Sequence, residues 1–225
     1  MKSAYYITIV LVTFSLFQSG CAYQKANKET KEVPQKETSA TNSESDNTAE
    51  YIVLNDSIKN VLVIRGKDIA RETTSVLQKH LKKAIKESGL EYAVDFCHTK
   101  AMELTDSISR AESVTVRRLA KKYRNPVNET DPEESELFKS YILEWLGGRP
   151  LSPKIIPDKE GHPVFYNPMY VGTACLNCHG VPGKNITSEL MNTINELYPE
   201  DKATNFKKGQ PRGMWAITFT EFKIK

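Results

Sequence analysis

Residues 175–179 read Cys175-Leu176-Asn177-Cys178-His179, and the chemistry open to this pentapeptide governs how the rest of the chain is read. Two thiols three positions apart, followed at once by an imidazole, form the C-x-x-C-H pattern of covalent c-type haem attachment. Each thiol can add to one vinyl group, and His179 can place a ring nitrogen on the iron. The spacing has to be short, because all three groups must reach one edge and one face of the same macrocycle. Two other readings compete. A structural zinc site would take Cys175, Cys178, His179 and Cys97, but it lacks the second paired motif usual in such sites. A thioredoxin-type pair would follow a strand and open a helix within a βαβ unit, and the flanking sequence does not offer that setting. One covalent haem c is the expectation.

The amino terminus sets the compartment. Lys2 is followed by an apolar run from Ile7 to Phe17, the layout of an export signal. The run is shorter than the about 20 apolar residues that span a bilayer. It ends in Gln18-Ser19-Gly20-Cys21, which resembles a bacterial lipoprotein signal, with Gln18 standing where an aliphatic residue is usual. Residues 1–21 are therefore expected to be a signal with Cys21 as the lipidated residue. This places the chain on the periplasmic side, anchored by lipid to the cell membrane. Residues 22–50 are rich in Lys, Glu, Thr, Ser and Asn. Such a stretch buries too little apolar surface to offset the entropy of ordering, so it reads as a disordered tether. Residues 51–225 remain as one domain. The net charge of +3 has no basic stripe or reading motif behind it, which argues against nucleic acid as a partner.

Along the domain, Val61–Ile64 reads as a strand or the start of a helix. Apolar spacing predicts a helix over 67–88, with Gly89 as its stop, and a second over 91–110. Val94, Cys97, Ala101, Leu104 and Ile108 form the apolar stripe of the second helix. Cys97 faces inward on that stripe, and His98 is turned about 100° away. Cys97 is then either a small buried hydrophobe or an occupant of the second axial position on the iron. Asp131 and Pro132 open a helix that runs to Leu146, burying Leu137, Tyr141, Ile142 and Trp145. Strands are expected at 164–170 and 213–222, the last one half-buried, with Trp215, Ile217 and Phe219 on its inner face. A helix lies between them at 187–197. Met169 and Met191 are assigned to the core, and His80 and His162 to surface or structural positions. The order of elements points to an α+β domain with an antiparallel sheet.

The late position of the haem motif fits small class I cytochromes c poorly. A four-helix cytochrome c-prime-like gas-binding protein remains as an alternative, although its chain would end soon after the motif. The chain resembles a family of exported single-c-haem domains with a PAS-like fold. The resemblance rests on Cys97 in a helix after a glycine, on Arg117 together with Arg124-Asn125-Pro126-Val127-Asn128, and on Phe165-Tyr166-Asn167-Pro168 ahead of the motif and Gly180. Gly209-Gln210-Pro211-Arg212-Gly213 and the closing strand complete it. It implies an iron held by His179 on one side and the Cys97 thiolate on the other. Arg117, Arg118, Arg124 and Arg212 are candidates to pair with the haem propionates through the two-point guanidinium fork; Arg124 and Arg212 are preferred because each adjoins a backbone break. The expected role is electron transfer or redox or gas sensing with a redox or signalling partner protein. A catalytic role is not expected, since no acid–base residue stands out beside the motif.

Overall fold

The computed structural model describes residues 49–225; Cys21, the signal segment and nearly all of the tether lie outside the described residues. In chain order the elements are β1 (Glu50–Ile52), α1 (Asp56–Glu112), β2 (Thr115–Leu119), a 3-10 turn at Pro126–Asn128, α2 (Pro132–Leu146), β3 (Lys154–Pro157), β4 (Pro163–Tyr170), α3 (Leu176–His179), α4 (Ser188–Leu197), β5 (Pro211–Thr218) and β6 (Phe222–Ile224). This is a mixed α and β architecture around a four-stranded antiparallel sheet of order β2-β5-β4-β3.

β5 is the pivot of the sheet, paired on both sides and buried from Pro211 to Ile217. The sequence pattern predicts a half-buried strand, and this is corrected. Trp215 and Ile217 pack with Phe165 beneath α1, while Met214 and Ala216 pack with Phe138 and Tyr141 of α2. A central strand covered on both faces carries apolar residues at both parities. Small Ala216 hides that signal behind an apparent alternation.

The two expected helices both form within α1, and Val61–Ile64, read as strand or helix start, belongs to the first of them. Asn55 caps its start, its side-chain oxygen accepting from Ile58 N at 2.9 Å, so Val61–Ile64 is helical. Ser88 and Gly89 leave the helical dihedrals and divide α1 into two arms, with the break at Gly89 as expected. Gly89 has φ 86° and ψ −171°, a conformation open to glycine and strained for other residues. The arm before this break lays Leu62, Gly66, Ile69 and Ala70 towards the sheet; the arm after it buries Ala93, Val94, Thr105 and Ile108.

α2 begins as expected, with Asp131 and Glu134 completing a reciprocal capping box. Its buried stripe is rotated from the expected one. Glu134, Phe138 and Tyr141 are buried, Leu137 and Ile142 pack only partly, and Trp145 is half-exposed. Glu134 tolerates burial because its carboxylate also receives a two-point fork from Arg117 at 2.9 and 3.3 Å. At the ends of the domain, β1 pairs in parallel with β6. Arg65 ties this corner together by donating to the Glu221 carboxylate and to the Glu112 carbonyl, the latter at 2.8 Å.

Helix α1 approaches the sheet most closely at Gly66. A Cβ there would fall 2.4–2.8 Å from three carbons of the Phe165 ring. Helix propensity favours alanine over glycine by about 1 kcal/mol, but overpacking a buried ring costs about 1–3 kcal/mol. Because Phe165 is fully buried, the clash wins. Gly66→Ala is expected to lower the thermal midpoint, and Phe165→Leu in the same chain to recover part of the loss. A midpoint unchanged or raised in Gly66→Ala would contradict this packing.

Candidate functional site

Strands β4 and β5 deliver the site to one end of the sheet. β4 loses register at Met169/Tyr170, and the chain turns at once into the segment that carries the cysteines. Cys175 stands at the N-cap of the single-turn helix α3, with Cys178 N and His179 N donating back to its carbonyl at 3.2 and 2.9 Å. This turn brings Cys175, Cys178 and His179 to the wall of one cavity of about 450 Å³, within the range of cofactor pockets. The opposite wall comes from both arms of α1, including Leu77, Leu81, Val94 and Cys97. The floor is the α1 face of the sheet: Arg118, Asn167, Met169 and Trp215. Trp215 Nε1 donates to Thr74 Oγ1 at 3.0 Å and stitches floor to wall.

His179 is fixed by its other nitrogen. Nδ1 lies 2.8 Å from the Ala203 carbonyl. A carbonyl can only accept, so Nδ1 carries the proton and the Nε2 lone pair is left for a metal. Burial first, then the Arg212 and Arg124 charges, hold the imidazole pKa well below its ordinary value. The ring is therefore neutral at pH 7, the form that binds metal. Phe206 meets it edge-on at 6.4 Å between centroids.

Cys97 lines the cavity, as its place on the apolar stripe predicts. Burial raises its thiol pKa, and the Arg118 and Arg124 charges pull the other way. Burial likewise raises Cys178, with Cys97 and Cys175 adding to the rise against Arg124. These three cysteines are free thiols. The neighbouring His98 is exposed and lies edge-on to Tyr198 at 5.0 Å. Met169 lines the cavity, while Met191, on α4, packs partly buried against the cluster of Val94, Ile186, Leu190 and Ile194. His80 stacks on Phe96, and His162 lies by Asp158 in the β3–β4 turn.

The four arginines separate. Arg117 points to α2 and Glu134; Arg118, Arg124 and Arg212 line the cavity. Arg124 donates to both carboxylate oxygens of Asp201 at 3.2 Å and to the Cys178 carbonyl at 2.7 Å. Arg212 donates to the Lys122 carbonyl at 2.8 Å and lies over the Phe206 ring. Asp201 also accepts from Ala203 N at 2.8 Å. Asp201, Ala203 and Phe206 are the residues that reading the sequence misses. Ala203 and Phe206 reach His179 over more than 20 positions, Asp201 reaches Arg124 over 77, and Asp201-Lys202-Ala203 carries no local pattern of its own.

The chain belongs to the Tll0287-like family, whose model matches residues 23–220. Among solved structures it is similar to the one described as the crystal structure of the cyanobacterial heme-protein Tll0287. The identity is 22% and the TM-score 0.52, with 75% of this chain and 98% of that chain covered. At that identity the likeness speaks for the fold. No curated protein matches the chain.

Removing Asp201 tests the architecture of the site. Its side chain is 3% exposed and that of Arg124 11%, so Asp201→Ala strands a buried guanidinium. The expected loss is about 3–5 kcal/mol in urea unfolding, and Arg124→Gln combined with Asp201→Asn should cost less than the sum of the two. A loss within about 0.5 kcal/mol, the level of an ordinary surface change, would remove Asp201 as the organiser of this wall.

Proposed function

We propose that this protein is a lipid-anchored, exported mono-haem c protein of PAS-like fold that works by one-electron redox change, as an electron carrier or as a redox or gas sensor. The observation that carries the reading is the convergence of Cys175, Cys178, His179 and Cys97 on one cavity. The donor set fits the group. Cys175 and Cys178 would hold it through thioether bonds, His179 Nε2 would be the proximal ligand, and Cys97 the distal one. When bound, the haem would supply a one-electron couple at iron, tuned by its axial ligands and by burial. The heme-protein description of the structurally similar cyanobacterial protein points the same way.

The chain's own residues prepare that chemistry. The Ala203 carbonyl orients His179 and keeps Nε2 unprotonated. Leu77, Leu81 and Val94 of α1 give the cavity an apolar wall, and in such surroundings each remaining charge carries more electrostatic weight. The Cys97 thiol must lose its proton to ligate, and Arg118 and Arg124 favour that anion against the cost of burial. A single zinc ion on the same four residues would leave an apolar cavity of this size unfilled, and a four-helix cytochrome c-prime does not contain the four-stranded sheet seen here. A redox or signalling protein is the proposed partner.

Exported in a host that matures c-type cytochromes, the protein should retain haem through denaturing electrophoresis, as shown by haem staining. Cys97→Ala should keep the stain, bind carbon monoxide more readily and raise the midpoint potential by about 0.1 V, a fraction of the roughly 0.8 V that axial ligands command. His98→Ala should behave as wild type. A colourless wild-type band, or stoichiometric zinc, would sink the haem reading; a spectrum that moves in His98→Ala but not in Cys97→Ala would replace the thiolate with histidine.

The anchor has its own test. Mass spectrometry of the mature protein is expected to show a lipid adduct on Cys21 as the first residue, lost in Cys21→Ser. Unmodified wild-type protein in the soluble periplasm would rule the anchor out.

A further inference from the structure

The cavity carries more positive charge than the protein balances. Arg118, Arg124 and Arg212 all line it, and no aspartate or glutamate is among the lining residues. Behind the wall, Asp201 pairs with Arg124. Three guanidiniums against one carboxylate leave an excess of two positive charges in a largely apolar space, an arrangement that buried charges do not sustain unpaired.

The two unbalanced groups can be named. In the β2–β5 ladder Arg118 lies opposite Trp215, so it shares the α1 face of the sheet, whereas Arg117 one position earlier faces α2. The groups that favour the Arg118 charge are the Cys97 and Cys175 thiols and the Tyr198 phenol, with no carboxylate among them. Arg212 is 7% exposed, and its Nε is buried without a hydrogen-bond partner among the described residues. Burial and repulsion from Arg118 and Arg124 pull its pKa down to about 9, against the opposing pull of Asp201 and Cys175.

We propose that Arg118 and Arg212 are the anchor for the two propionate carboxylates of the haem, and that Arg124 serves instead as a brace for the attachment turn. This rests on the haem reading above. Two propionates bring two negative charges, which matches the excess, and each carboxylate suits the planar fork of a guanidinium. Arg124 has already committed its fork to Asp201 and the Cys178 carbonyl.

The test uses haem-loaded protein and reads the propionate-bending bands by resonance Raman together with the midpoint potential. Arg118→Gln and Arg212→Gln should each shift a propionate band and lower the potential, because a positive charge near the iron is lost. Arg118→Lys should still shift the band, since the fork is gone, yet hold the potential near wild type, since the charge remains. Arg117→Gln, outside the cavity, should match wild type in both. If Arg118→Gln does not load, Arg118→Lys and Arg212→Gln decide the matter. Propionate bands unmoved in the loaded Arg118 and Arg212 variants overturn the proposal. So does a change confined to the iron–sulfur vibration, or a propionate shift seen only in Arg124→Gln. An unloaded wild-type protein is a different result, which removes the haem reading itself.

Discussion

Asp201 accepts from the Arg124 fork through both oxygens and from the Ala203 amide through one of them. Ala203 in turn receives the His179 Nδ1 proton on its carbonyl, and Arg124 passes a third donor to the Cys178 carbonyl. One buried carboxylate thereby sets both the backbone of the Cys175–His179 turn and the tautomer of its imidazole. A buried ion pair of this kind contributes little net stability over an apolar pair, but it is expensive to break. Its value here is positional: the motif cannot shift without exposing the charge of Arg124 or freeing the His179 ring.

The sheet supplies the second constraint, because side chains alternate strictly between its faces. Arg117 and Arg118 are neighbours in sequence but belong to different machinery. The first completes the α2 cap through Glu134, and the second enters the cavity opposite Trp215. The same parity places Asn167 and Met169 of β4 on the cavity face with Arg118, across β5 from it. A one-residue slip in this register would put Arg117 in the cavity and leave Glu134 buried without its partner.

What was legible in the sequence was local. The turn geometry of residues 175–179 follows from the motif, and the 100° step of a helix was enough to send Cys97 inward and His98 out. The Asp131 cap and the strands around β4 and β5 follow from short-range patterns in the same way. The two-sided burial of β5 was not legible, because Ala216 can look like a polar-face residue until α2 is seen to cover it. Nor was Asp201, whose partners lie 77 positions away at Arg124 and two away at Ala203. The Arg117/Arg118 distinction was within reach: the strand parity that assigns Trp215 inward also sorts the arginines, once β2 is known to pair with β5.

The two sides of the cavity are held by different interactions. On the His179 side, strand ends, the Asp201 network and the Phe206 ring converge within a few ångströms, so displacement must break several hydrogen bonds together. On the Cys97 side, the thiol rides on the arm of α1 that follows the Gly89 break. Packing holds that arm in place: Ala93 and Val94 are buried, Val94 against Ile186, Leu190, Ile194 and Tyr198, and Ile108 lies in the core with Phe165 and Trp215. The two walls are thus fixed by different forces. Directional hydrogen bonds to a buried carboxylate set the His179 side, and non-directional apolar contact sets the Cys97 side.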